Sequence, residues 1–124
     1  MLGKKVLVVD DDPNVGLLIS AVLKKYNYTV TTFSRGEEVL AFLKESKPDL
    51  ILLDLLLPKL NGYDVCNALM RDNLTRHTPV LIISTLDTPE SIEKAKLCGA
   101  RNFMKKPYNL EDLVREIKRL LPKE

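Results

Sequence analysis

Three runs of this chain, VLVV at 6–9, LILL at 50–53 and VLII at 80–83, are apolar at every consecutive position. A strand with one wet face alternates apolar and polar residues, so an unbroken apolar run needs cover above and below. That requirement predicts central strands over Lys5–Asp10, Leu50–Asp54 and Pro79–Ser84. Two further segments, TVTTF at Thr29–Phe33 and NFMK at Asn102–Lys105, mix apolar and polar positions and read as edge strands.

Between the strands, apolar residues recur at helical spacing. Asp12 caps the first helix with Pro13 at its first turn, and Val15, Leu18, Ile19, Val22, Leu23 and Tyr26 form its inward face until Asn27 closes it. Ser34 and Glu37 make a capping box for the second, which carries Val39, Leu40 and Leu43 to about Ser46, ahead of Pro48. Asn61 caps a third helix with Val65, Cys66, Leu69 and Met70 facing in. The fourth, opened by Thr88-Pro89 and closed by Gly99, offers only Ile92, Ala95 and one of Leu97 or Cys98, so it should be the most weakly anchored. The fifth begins at Asn109, has the strongest stripe (Leu110, Leu113, Val114, Ile117, Leu120, Leu121) and stops at Pro122. Strands and helices in strict alternation predict an α/β fold, a doubly wound five-stranded parallel sheet. Strand order 2-1-3-4-5 puts the three apolar runs in the middle.

At 124 residues the chain is the size of one domain, and its 45% hydrophobic and 29% charged residues are ordinary for a folded protein. A net charge of +2 spread along the chain gives no argument for direct nucleic-acid binding. No apolar run reaches the ~20 residues of a membrane span, and MLGKKVLVVDDD lacks the pattern of a secretory leader. Cys66 and Cys98 lack metal-ligand spacing and read as reduced thiols of a cytoplasmic protein, while His77 reads as a loop residue.

The chemistry gathers where the strands end. Asp54 follows an apolar run, and a carboxylate at the end of a buried strand is costly unless something pairs with it. In open parallel sheets, sites form at the carboxyl ends of strands, beside the switch in winding direction. Asp10 and Asp11, Asp54, Ser84 and Lys106 all fall at such ends. Adjacent first and third strands would bring three carboxylates together, an all-oxygen set suited to a partly hydrated Mg²⁺. A lysine and a hydroxyl add charge neutralisation and a hydrogen bond, which are the needs of phosphoryl transfer, and an aspartate can be the nucleophile. Each residue has a plainer reading alone: Asp11 or Asp12 as a helix cap, Ser84 as a turn residue, Lys106 as a loop lysine. Their conjunction is the signal.

On these residues the chain resembles the receiver domain of bacterial two-component response regulators over nearly its whole length. The matching motifs are VLVVDDDP at Val6–Pro13, LLDLLLPKLNG at Leu52–Gly62, PVLIIST at Pro79–Thr85 and KKPY at Lys105–Tyr108. The resemblance implies the flavodoxin-like receiver fold, with Asp54 as phospho-acceptor and Asp11, Asp10, Asp54 and the Leu56 backbone carbonyl holding Mg²⁺. It puts Ser84 at the hydroxyl that contacts the phosphoryl group and Lys106, before a cis bond to Pro107, at the counter-lysine. Phe103 falls at the switch aromatic, although a half-buried apolar residue of an edge strand accounts for it equally well. Two positions depart from the common pattern: Leu56 and Leu86 are apolar where they border the hydrolytic water, so slow loss of phosphate is expected. Lys105 has no assigned role and is read as outward-facing.

The implied function is a switch in a phosphorelay. A sensor histidine kinase or histidine phosphotransfer protein phosphorylates Asp54, and the face of helix four, strand five and helix five changes for a downstream partner, with a phosphorylation-dependent homodimer as one output. Such a domain promotes its own phosphorylation and dephosphorylation but turns over no external substrate. Residues 1–124 would form a single receiver domain with no effector domain. Two rivals remain at this stage. One is a small haloacid-dehalogenase-type phosphohydrolase using Asp10 of Asp10-x-Asp12, weakened by Asn14 and by the lack of a later acidic pair. The other is a receiver-like interaction module that is never phosphorylated.

Overall fold

The computed structural model describes residues 3–57, 61–85 and 88–121. Its strands are β1 (Lys5–Val9), β2 (Thr29–Phe33), β3 (Leu50–Asp54), β4 (Val80–Ser84) and β5 (Asn102–Lys105); its helices are α1 (Pro13–Leu23), α2 (Gly36–Phe42), α3 (Gly62–Arg71), α4 (Pro89–Leu97) and α5 (Leu110–Leu120). The sheet is parallel throughout, in the order β2-β1-β3-β4-β5. All five residues of β3 and of β4 are buried, whereas β2 and β5 alternate between exposed and half-buried. Continuous apolar runs therefore mark the centre and mixed ones the edges, as the patterning predicts.

Because side chains alternate across a strand, the apolar runs feed two cores. Leu7, Val9, Ile51, Leu53, Val80 and Ile82 point to the face covered by α2, α3 and α4, which contribute Val39, Val65, Cys66, Leu69 and Ala95. Val6, Val8, Leu50, Leu52, Leu81 and Ile83 point to the other, where α1 and α5 supply Ile19, Leu23, Leu113 and Ile117. Cys66 and Cys98 are buried free thiols, and burial followed by the neighbouring Cys98 pushes the Cys66 thiol up to about 12. Among the described residues, no helix is long and apolar enough to cross a membrane.

Several local readings change. The α-helical part of α1 ends at Leu23 and Lys24–Tyr26 tighten into a 3₁₀ turn before Asn27, at φ 64°, reverses the chain. Leu18, expected on the inward face, is exposed, while Gly16 on the opposite side of the helix packs closely against Thr32. The Ser34–Glu37 capping box does not form: α2 starts after Arg35 without a side-chain cap and ends at Phe42 instead of near Ser46. Leu97 is exposed and Cys98 takes the inward place. Asp12, Asn61, Thr88 and Asn109 do cap their helices, and Gly99, at φ 92°, ends the turn after α4. Pro58, Leu86 and Pro122 lie outside the described residues.

Candidate functional site

β1 and β3 are neighbours, with Val9 paired to Leu53, so Asp10 and Asp54 leave the sheet side by side. Both are buried, at 7% and 5% exposure. Burial of a charge demands a partner, and it comes from two strands away. Lys106 follows β5, its amide donating to the Ser84 carbonyl at 2.8 Å. Its side chain crosses the end of β4, and Nζ donates to Asp10 Oδ2 at 2.6 Å and to Asp54 Oδ2 at 3.0 Å. The bond to Pro107 is cis.

The second oxygen of each carboxylate is held by its own loop. Asp10 Oδ1 accepts from the Asp12 amide at 2.9 Å, and Asp54 Oδ1 from the Leu56 amide at 3.0 Å. Both are turns in which an aspartate side chain bonds the backbone two residues on. The residue-by-residue reading missed the Leu56 amide as a partner of Asp54, although an aspartate ending a strand before a turn is the signal for it. Asp12 uses its carboxylate on the Asn14 amide at 2.9 Å, which makes it a cap. Asp11 is exposed, yet one of its oxygens lies within 4.8 Å of an oxygen of Asp10 and of Asp54.

Burial pushes the Asp54 carboxyl above its ordinary value, against the opposing pull of the Leu56 amide and Lys106. Burial alone would lower the Lys106 ammonium, but its bonds to Asp10 and Asp54 outweigh that and raise it. With all three carboxylates ionised, the one ammonium leaves the cluster at −2 (three negative charges less one positive). Such an excess, presented by oxygen atoms alone, matches a hard divalent cation. The residues present therefore fit Mg²⁺.

Ser84 ends β4, fully buried, with Lys105 as its register partner. Leu55 is buried while the Leu56 side chain turns outward, 49% exposed. Phe103 pairs with Ile82, two register positions below Ser84, and packs half-buried against the core of α2, α3 and α4. Beside Lys106, an open groove of about 780 Å³ runs along Val15, Leu18, Tyr108 and Leu110. The structure thus brings Asp10, Asp11, Asp54 and Lys106 together, sets Ser84 and Leu56 at the same rim, and leaves Phe103 lower on the edge.

The model of the response regulator receiver domain matches residues 6–118. The chain belongs to this family. It is 32% identical over 117 residues to protein PilH of Pseudomonas aeruginosa, covering 94% of this chain and 97% of that protein. It is 34% identical over 117 residues to the DNA-binding dual master transcriptional regulator RpaA of Synechocystis, covering 94% of this chain but only 48% of RpaA, so it spans about half of that relative. Among solved structures, chemotaxis response regulator CheY4 of Vibrio cholerae superimposes with a TM-score of 0.90 at 31% identity, over 96% of this chain and 99% of that one. As a receiver domain the protein is a signalling switch of two-component systems. The haloacid-dehalogenase reading gives way to this family membership.

Proposed function

We propose that this receiver domain accepts a phosphoryl group on Asp54 from a phosphohistidine. The donor is a sensor histidine kinase or a histidine phosphotransfer protein in the cytoplasm, and residues 1–124 act as one unit. The observation that carries this reading is the Lys106 ammonium bonded to both Asp10 and Asp54 beside Asp11. Three separate strand ends would not gather two buried carboxylates on one lysine for stability alone, because replacing such a cluster with apolar side chains is commonly neutral or favourable.

Asp54 Oδ2 attacks phosphorus as the bond from phosphorus to the donor imidazole breaks, and the electron pair stays on that nitrogen. Asp10, Asp11, Asp54 and the Leu56 carbonyl would hold Mg²⁺, which supplies charge neutralisation for the phosphoryl oxygens. Lys106 exchanges its bond to Asp54 for one to a phosphoryl oxygen while keeping Asp10, and the Ser84 hydroxyl donates to another. The draw on Ser84 shifts the chain leading into α4, and Phe103 follows on β5. The resulting face of α4, β5 and α5 is read by a downstream partner, with a homodimer as one form of output. No external substrate is turned over. The apolar Leu56 cannot orient the hydrolytic water, so the phosphate is long-lived.

Incubation with a radiolabelled phosphodonor and Mg²⁺ should label the parent and leave Asp54→Asn blank. A labelled Asp54→Asn protein would remove Asp54 as the acceptor. In the same experiment, Leu56→Asn should lose its label several times faster than the parent, and an equal lifetime would remove the role of Leu56.

A further inference from the structure

The weak apolar face of α4 leaves the question of what holds its first turn. Only Ser91 and Ala95 of this helix are buried. The bonds around Ser91 are polar: its amide donates to Thr88 Oγ1 at 3.1 Å, and its hydroxyl to the Thr88 carbonyl at 2.9 Å. A hydrogen bond reaches this turn from α3. Tyr63, on the first turn of α3, donates its hydroxyl to the Ser91 carbonyl at 3.0 Å. Lys94, one turn further along α4, sets its ammonium 4.5 Å from the centre of the same ring.

The other end of this contact is tied to the acceptor. Gly62 donates its amide to the Leu55 carbonyl at 2.9 Å. Its backbone sits so close to the acceptor that an added Cβ would lie 2.6 Å from the Asp54 carbonyl oxygen. The start of α3 therefore cannot move independently of the Asp54 backbone, and Tyr63 is the next residue. Burial pushes the Tyr63 phenol above its ordinary value, against the Ser91 bond, so the hydroxyl stays a donor at neutral pH.

We propose that Tyr63 is a positioning residue, a latch that ties the first turn of α4 to the acceptor loop while Lys106 holds the free Asp54 carboxylate, and so favours the unphosphorylated arrangement. This rests on the reading of Asp54 as the acceptor. The latch is a route to α4 separate from Ser84 and Phe103, running along the other side of the acceptor. A contact that favours one state opposes a ligand that favours the other by the same factor. Loss of one partly buried hydrogen bond should therefore tighten binding at Asp54 about three- to tenfold.

The test compares the full chain with Tyr63→Phe, which keeps the ring and removes only the hydroxyl. Amide hydrogen exchange of both free proteins is measured, and both are titrated with beryllofluoride and Mg²⁺ by NMR. The latch predicts exchange about three- to tenfold faster in the first turns of α4, no change in β1 and β3, and tighter beryllofluoride binding by a similar factor. Exchange that is unchanged, or that rises equally in β1, β3 and α4, overturns the latch. Local loosening with unchanged or weaker beryllofluoride binding overturns its coupling to the acceptor. A parent that takes up no beryllofluoride overturns the acceptor reading, and the exchange comparison still decides whether the latch exists.

Discussion

The body of the sheet and its carboxyl rim are built from the same strands and obey opposite rules. In the body, Leu7, Ile51, Leu53 and Ile82 are buried among apolar neighbours on one face, and Leu50, Leu52 and Leu81 on the other. Each contributes through surface removed from water. At the rim, one residue beyond β1 and at the last residue of β3, buried carboxylates take over, and Lys106 holds them. The body stabilises the fold with no chemistry of its own. The rim costs stability and carries the carboxylates and the ammonium of the candidate site. The candidate site is a thin layer on top of a sheet stable enough to tolerate it.

The widest gap between the two regions should appear on truncation in the body. Ile82→Ala, in a fully buried site on β4, should lose about 2–5 kcal/mol, measured from the urea midpoint. A loss below about 1 kcal/mol would break the contrast by showing that the body is not the source of stability.

The rim should respond in the opposite direction. The folded-state pKa of Asp54 is raised, with burial the largest cause. The folded protein therefore holds that proton more tightly than the unfolded chain. Ionising Asp54 costs stability as pH rises through the interval between the ordinary value of 3.8 and the raised one, and the full cost persists above it. Asp54→Asn should accordingly unfold later than the parent at pH 7, by on the order of 1 kcal/mol. That advantage should shrink as pH falls toward 3.8. A variant less stable than the parent at pH 7 would mean that the bond from Lys106 outweighs the burial.

The smallest effect sharpens the contrast within the rim. Thr88→Ala removes the cap of α4, whose side chain accepts from the Ser91 amide, and should cost about 0.5–1 kcal/mol. Because α4 buries so little, the change should show as faster hydrogen exchange confined to α4. The equivalent Asn109→Ala in α5, where Leu113 and Ile117 are buried, should leave the exchange of that helix nearly unchanged despite a similar loss in global stability.

The ease with which each region was read from sequence follows the same division. Apolar runs and helical spacing are repeated many times over, so the strand order survived local misreadings. Leu18 fits the inward spacing yet points out, while Ile19 and Leu23 are buried. Ser34 had the spelling of a capping box, yet α2 begins two residues later without a side-chain cap. A motif of two residues has no redundancy, so a shift of one residue removes it. Tyr63 gave no signal at all, since a tyrosine on a first helical turn has many uses and its partner is a backbone carbonyl 28 residues away.

By itself, then, the sequence determined the elements, their order in the sheet and the list of groups stationed at strand ends. Those follow from local periodicity and from the need to cover apolar faces. Only the tertiary structure decided which of those groups meet: that Lys106 reaches past β4 to both Asp10 and Asp54, that the Leu56 amide holds Asp54, and that Tyr63 of α3 reaches α4. Such contacts depend on side-chain reach and on strands brought together from distant parts of the chain, and no local pattern encodes either.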